Sequence, residues 1–568
     1  MVHLLARWGK SVDKLHWEVS SLVVRNGTYF GNGWIFHEEK KILDLRLTVH
    51  FDNGESQAIA MNFGKPVDYV GAQFSKIPSA KYSGFTLFGS CKSGGENFNS
   101  LFLRVKLEDG FVDELPIPRS CIRILGNQDI AVGRIVMRLF VINYKDAIYL
   151  VKRGLYLVKR GLYLIRSFQF ASMLTRTKRR LSNRPASPLA NGGAALPILN
   201  PSELRNIVLV IDHDMGGGAN HYRERMVAEK IDEGVTVFIF SYHAMTLSYI
   251  LMVQNSRRNE RFVVPDYDYL LGMAKQFEIK EVIYNDGVTF AHPEGLLQLL
   301  AELKSKYHMR LTLLVHDFFM VCPSPFLLDD AGEYCGIPDI SRCQKCLVNN
   351  KQDFVLLSLS RNIVQWRTLW KTVIDLADEV RTFSDDSLKL LQKAYPSLEL
   401  SRAVVKPHGV EYFRHGPIKP SYTGSLRIGV VGQIGHSKGA EIVQKLADEI
   451  MARKLDIQIV AIGAIEVQCE QSVVQETGRY QHEKLPALIE SSGANIMLFP
   501  SIWPETFSYV VQELVELDLP VACYSLGAPA ERISKYAKGM ILEDMSASAT
   551  LDNLILFHQR TYFPNWHQ

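Results

Sequence analysis

The chain has 568 residues, 47% apolar and 22% charged, with a formal net charge of +4. That balance belongs to a globular chain of three or four domains and excludes a disordered or fibrous one. Eight cysteines are too few for a disulfide framework, and no run of eighteen uninterrupted apolar residues marks a membrane span. The opening stretch, Met1 to Lys10, lacks a secretory core, so a reducing cytoplasm is the expected setting.

Residues from about 10 to 125 read as short alternating strands, such as Leu45 to Val49 and Phe102 to Lys106. Turn signals at Asn26-Gly27, Asp52-Asn53-Gly54 and Asp109-Gly110 separate them. A small β-sandwich-like domain over residues 1–130 is predicted. Trp17, Tyr29, Phe30, Trp34 and Phe36 are either its core or an aromatic platform.

Residues 131–184 are expected to form a basic helical segment. Val141 to Arg184 holds eleven Lys or Arg and one acid, about +10, which leaves the rest of the chain at about −6. Within it the heptapeptide Tyr149 to Leu155 recurs at Tyr156 to Leu162, and Tyr163 to Arg166 begins a third copy. Seven residues are nearly two helical turns, so Lys152, Arg153, Lys159, Arg160 and Arg166 share one arc with leucines and valines opposite. Such a helix suits an anionic membrane surface, with 149–180 as the contact. Gly154 and Gly161 each cost about 1 kcal/mol of helix propensity. A solvated helix between domains is the alternative. Because the cationic excess is confined to this stretch, nucleic acid is not an expected partner. Residues 185–204 follow as a linker rich in Pro, Ala, Gly, Ser and Asn.

Beyond the linker, strands and helices alternate. Ile207 to Ile211, Val235 to Phe240, Val282 to Tyr284 and Leu311 to Val315 read as buried strands, with helices at Asn220 to Asp232 and Glu294 to Tyr307. A second series runs through Leu426 to Val431, Ile457 to Ile462, Ile496 to Phe499 and Pro520 to Cys523. The fold class is therefore α/β, with two tandem Rossmann-like domains over 205–415 and 416–568. A ligand cleft is expected between them, beyond the strand carboxyl ends.

The first strand of the first series leads into Gly216-Gly217-Gly218, which lets backbone approach a ligand at a helix start. It is not the dinucleotide fingerprint, and no acid ends the next strand. In the second series Gly432, Gln433, Gly435 and Lys438-Gly439 lead into a helix, a moderate signal for a diphosphate; Ala440 breaks the P-loop order. The most specific stretch is Phe499 to Ser508, with Glu505 before a helix and Glu513 inside it. Two carboxylates eight residues apart could hold hydroxyls at both ends of one ligand, while the N–H groups of Thr506, Phe507 and Ser508 face an anion.

These motifs, with His316-Asp317 and Pro407-His408-Gly409-Val410, resemble the retaining two-Rossmann (GT-B) glycosyltransferases of the group 1 family over residues 206–557. The resemblance implies that Glu505 contacts the donor sugar and Glu513 the ribose. Lys438 would neutralise the leaving diphosphate, His316 would sit beside the reacting sugar, and Gly216 to Gly218 near acceptor and phosphate. Gln433 stands where many members carry Arg, leaving Lys438 alone unless His436 or a remote arginine helps. The family needs no metal for catalysis.

The resemblance implies transfer of a hexose-type unit from a nucleoside-diphosphate sugar to a surface-glycan or lipid-linked acceptor. Configuration would be retained by same-face attack, with a covalent role for Glu505 as the alternative, at the cytoplasmic face of a membrane. Rival readings are a sugar-nucleotide epimerase on the same fold and a non-catalytic glycan-binding scaffold. Separately, Cys322, Cys335, Cys343 and Cys346 fall in one insertion, the last two at zinc spacing. Their other intervals, 12 and 7 intervening residues, are loose, so a structural zinc and free structural thiols are both open.

Overall fold

The computed structural model describes residues 14–91, 98–125, 204, 206–352, 354–410, 413, 415–419 and 424–563. The basic repeat and nearly all of the linker lie outside the described residues. The N-terminal strands are β1 (Leu15–Arg25), β2 (Thr28–His37), β3 (Ile42–Phe51), β4 (Ser56–Ala60), β5 (Asn62–Lys65), β6 (Gly84–Ser90), β7 (Phe98–Leu107), β8 (Val112–Pro116) and β9 (Ile122–Ile124). They form two sheets, β5-β6-β2-β1-β9 and β4-β3-β7-β8. Period-two burial drives the pairing: Leu45, Leu47 and Val49 of β3 with Leu101, Leu103 and Val105 of β7 face Leu22, Val24, Ile35 and Leu87. The β1–β2 hairpin turns at Asn26 and Gly27, both at positive φ, as a two-residue turn requires.

The aromatic residues of this domain do not make an open platform. Tyr29 lies in the sandwich core, while Phe36 and Trp34 pack under Val67, Phe74 and Ile77. Phe30 pairs with Phe88 against the next domain. The domain is fixed there by the buried Arg25, whose guanidinium donates to the Leu247 carbonyl at 3.2 Å and to Ser248 Oγ at 2.9 Å.

The first α/β unit contains β10 (Ile207–Ile211), β11 (Thr236–His243), β12 (Ser248–Gln254), β13 (Asn259–Val264), β14 (Glu281–Tyr284), β15 (Arg310–Leu314), β16 (Glu379–Thr382) and β17 (Ala403–Val405). Their order is β13-β12-β11-β10-β14-β15-β16-β17, with β12 and β13 the antiparallel extension of an otherwise parallel sheet. The second unit contains β18 (Arg427–Ile434), β19 (Gln458–Ile465), β20 (Val474–Glu476), β21 (Ile496–Phe499), β22 (Val521–Tyr524) and β23 (Gly539–Leu542). They are ordered β20-β19-β18-β21-β22-β23, all parallel. Every residue of β10 and of β21 is buried, which is why both read as unbroken apolar runs.

The two units meet at their strand carboxyl ends. Trp503 of the second inserts beside Phe326 and Phe318 of the first, with ring centres 4.7 and 6.5 Å apart. Among the described residues no helix is long and apolar enough to cross a membrane.

Candidate active site

The first wall of the cleft grows from the ends of β10, β14 and β15. Asp212, 0% exposed, accepts hydrogen bonds from Asn220 Nδ2 at 2.8 Å and Arg223 Nη1 at 2.7 Å. Burial raises its pKa although His213 and Arg223 pull the other way. The other end of the Asn220 amide accepts the Gly216 N–H at 2.6 Å, so that amide closes the glycine loop and is not offered to a ligand. Asn220 was not singled out in the sequence. Its signal was an amide placed to reach back over the loop, a habit of Asn at turns.

Asn285 and Asp286 follow β14. Asp286 Oδ2 stands 3.5 Å from His213 Nε2, and Asn285 Oδ1 lies 3.0 Å from His316 Nε2. The His316 ring stacks on Phe383 at 4.6 Å and meets Tyr222 and His408 edge-on. Burial among these rings, only partly countered by Asp286, pushes its pKa down to about 3. The imidazole is neutral and its orientation is set by Asn285. Burial and then Asp286 raise Asp317 well above the carboxylate range.

The second wall starts where β18 ends. Gly432 and Gln433 fall inside this strand, because pairing with β19 continues to Ile434 and Ile465. The loop proper is Gly435 to Gly439, a single turn at His436–Lys438 ahead of the helix Ala440–Ala452. Gly439 has φ 82°, and a Cβ there would lie 2.1 Å from the Pro500 carbonyl oxygen; only glycine lets this loop seat on the Glu505 motif. His436 is engaged elsewhere: Nδ1 lies 3.0 Å from Glu441 Oε1 and Nε2 lies 3.0 Å from the Gly332 carbonyl.

Glu505 is 7% exposed. Burial raises its pKa, opposed by the Lys438 charge and by hydrogen bonds from Ser501 and Ser508. Its Oε1 has no hydrogen-bond partner among the described residues. A buried acceptor left open is costly and marks a place where a ligand donor fits. Behind it, Gly527 at φ 61° allows close approach; a Cβ there would lie 2.5 Å from the Pro504 carbonyl carbon.

Thr506 Oγ1 donates to the His316 carbonyl at 2.7 Å, and Phe507 stacks on His408 at 4.5 Å. Ser508 caps the helix Tyr509–Glu516. Inside that helix Glu513 is 0% exposed, with Oε1 2.8 Å from His482 Nε2. That contact raises the His482 pKa.

Motif and glycine loop are thus brought together, and Tyr509, which the sequence reading passed over, joins them. Its ring abuts Gly218 and His221, and its hydroxyl meets His408 Nδ1 at 2.5 Å and Arg225 Nη2 at 2.8 Å. Arg532 also packs on the motif, 4.4 Å from the Phe507 ring centre, and donates to the Ser508 carbonyl. Burial pushes its pKa down to about 10. The four insertion cysteines line a separate small cavity. Among the described residues no group of three or more His, Cys, Asp or Glu stands in metal-holding geometry.

No curated protein matches the sequence. Among solved structures, HepE of Anabaena in complex with UDP aligns over 63% of this chain and 91% of its own, at 13% identity and a TM-score of 0.40. A glycosyltransferase from Rickettsia africae aligns over 63% and 89%, at 14% identity and a TM-score of 0.39. MurG of Acinetobacter baumannii aligns over 62% and 91%, at 12% identity and a TM-score of 0.32. Residues 415–559, the stretch that carries Lys438, Glu505 and Glu513, match the family of glycosyl transferases group 1.

Proposed function

We propose that the chain transfers a sugar from a nucleoside-diphosphate sugar to a glycan or lipid-linked acceptor with retention of configuration. One observation carries this reading. Inside the family-matched stretch, the buried Glu505 keeps an open acceptor oxygen within reach of the Lys438 charge. A donor sugar hydroxyl fits the first, and the charge developing on a leaving diphosphate fits the second.

In this account residues 205–415 hold the acceptor and residues 416–568 the donor. Glu513 takes the ribose, with His482 as its partner when no donor is bound. Gly432, Gln433, Gly435 and Thr506 to Ser508 line the donor side, and Gly216 to Gly218 the acceptor side. The neutral His316 flanks the sugar and holds a hydrogen bond rather than delivering a proton. Burial that raises the Glu505 pKa disfavours the free carboxylate a nucleophile needs, which favours same-face attack assisted by the leaving phosphate. The basic stretch 149–180 holds the enzyme reversibly on an anionic membrane, each cation contributing at most about 1 kcal/mol.

The test is a panel of nucleoside-diphosphate sugars scored by thermal stabilisation, followed by NMR of the product anomer. Stabilisation by one donor class and a retained anomer are expected. An inverted product would overturn retention, and no stabilisation by any donor would overturn the activity. Sedimentation with anionic and neutral vesicles tests the membrane role; equal binding to both would contradict it.

A further inference from the structure

Cys322, Cys335, Cys343 and Cys346 come from three separate turns of one insertion, yet all four line a single small cavity of about 20 Å³. That volume holds one water-sized sphere. Apolar side chains, among them Leu327, Leu328 and Ile337, make up much of the remaining wall. Around this void two of the sulfurs are met by a side-chain N–H donor. Asn350 Nδ2 lies 3.7 Å from the Cys346 sulfur. Arg367 Nη2 lies 3.6 Å from the Cys343 sulfur.

Cys343 acts as a thiol donor, its Sγ lying 3.5 Å from the Pro338 carbonyl, so a metal entering the cavity must displace the thiol protons. Four thiolates around one void repel one another unless a cation lies between them. Two arginines, Arg342 and Arg367, line the same cavity and offset the residual negative charge of a tetrathiolate site.

We propose that Cys322, Cys335, Cys343 and Cys346 bind one zinc ion tetrahedrally, and that this zinc braces the hairpin supporting the Gly435–Gly439 loop. Among the described residues the four sulfurs do not stand in metal-holding geometry; on binding, four S–H protons pass to solvent and four Zn–S bonds of about 2.3 Å form as the side chains rotate about χ1 to close on the ion. No electron transfer is involved. The hairpin lies between Cys322 and Cys335: Leu328 pairs with Tyr334, and Asp329 Oδ1 accepts the Ala331 and Glu333 N–H groups. At its tip the Gly332 carbonyl faces His436 Nε2, two residues before Lys438. Zinc loss therefore loosens a contact of the loop that carries Lys438. This second consequence rests on the proposed donor role of Lys438; the metal site does not.

The experiment uses the full chain purified without added metal. Elemental analysis should give about one zinc per chain, with four thiols shielded from a thiol reagent until a mercurial releases the metal. Cobalt added to the stripped protein should give the thiolate-to-cobalt absorption of a tetrahedral sulfur site. The Cys343→Ser, Cys346→Ser variant should lose both signals. A stripped protein that takes up neither zinc nor cobalt, or Cys322, Cys335, Cys343 and Cys346 all reacting freely in the untreated protein, overturns the proposal. These readouts need no donor, so they stand or fall apart from the transferase reading. For the loop, zinc removal and His436→Ala should each weaken nucleoside-diphosphate binding by about fivefold, the loss expected for one hydrogen bond, while His436→Ala keeps its zinc. Unchanged nucleoside-diphosphate binding on zinc removal would overturn the bracing role.

Discussion

The Thr506 hydroxyl donates to the His316 carbonyl over 2.7 Å, joining the Phe499–Ser508 motif of one unit to the segment just after β15 in the other. Both partners are within the proposed reaction site, so cleft geometry and site geometry are set by the same bond. Thr506→Val keeps the shape and removes the donor. The expected cost is about 1 kcal/mol, or roughly a fivefold rise in donor KM, with the melting temperature little changed. Steady-state kinetics beside calorimetry checks this; an unchanged KM would show the bond to be incidental.

Glu505 illustrates a conflict between stability and function. A carboxyl whose pKa rises on folding keeps its proton longer in the folded state. Its effect on stability is therefore unfavourable as pH climbs from the ordinary value of 4.5 through the raised one. Glu505→Gln should remove that dependence, leaving the protein equally or more stable at pH 8 while transfer falls by one to two decades. Urea unfolding at pH 5 and pH 8 tests the sign; lower stability of the variant at pH 8 would contradict it.

His482 and Glu513 give a second pH effect. The His482 pKa is raised chiefly by its hydrogen bond to Glu513, so the stabilisation is fully present below 6.5 and is lost as pH rises through the raised value. If the ribose displaces His482 from Glu513, donor affinity should improve over that same rise. His482→Gln should flatten the profile. Titration calorimetry across pH 6 to 9 reads this directly, and an identical profile in the variant would refute the competition.

Asn220 closes the glycine loop from beneath. Asn220→Ala should destabilise the fold by about 1–3 kcal/mol, because Asp212 and the Gly216 N–H each lose a buried partner. Asn220→Asp should cost more, since a second carboxyl would face Asp212. Chemical denaturation of both variants orders the two effects.

Much of the α/β architecture was legible in the sequence, for a physical reason. Strands buried on both faces, such as Ile207 to Ile211 and Ile496 to Phe499, must be unbroken apolar runs, and they stand where those runs predict. The antiparallel pair β12 and β13 was not foreseen, because an edge hairpin with one solvated face has no such signature. At the candidate site, the family resemblance picked out Glu505 and Glu513, which stand before and inside one helix. Asn220, Arg225, Asn285 and Tyr509 escaped notice because their roles come from contacts between separate segments. Tyr509 meets Arg225 and His408, which lie 284 and 101 residues away. The expectation that His436 could assist Lys438 meets a ring already placed between Glu441 and Gly332.

The central claim is tested most directly by sugar release from nucleoside-diphosphate sugars, with wild type, Lys438→Ala and Glu505→Ala side by side. One donor class should be consumed by the wild type. Each variant should lose one to two decades of rate, the effect of about 1.5–3 kcal/mol from a lost charge-assisted contact. Wild-type rates in both variants, or no consumption of any donor by the wild type with acceptor extract present, would contradict it.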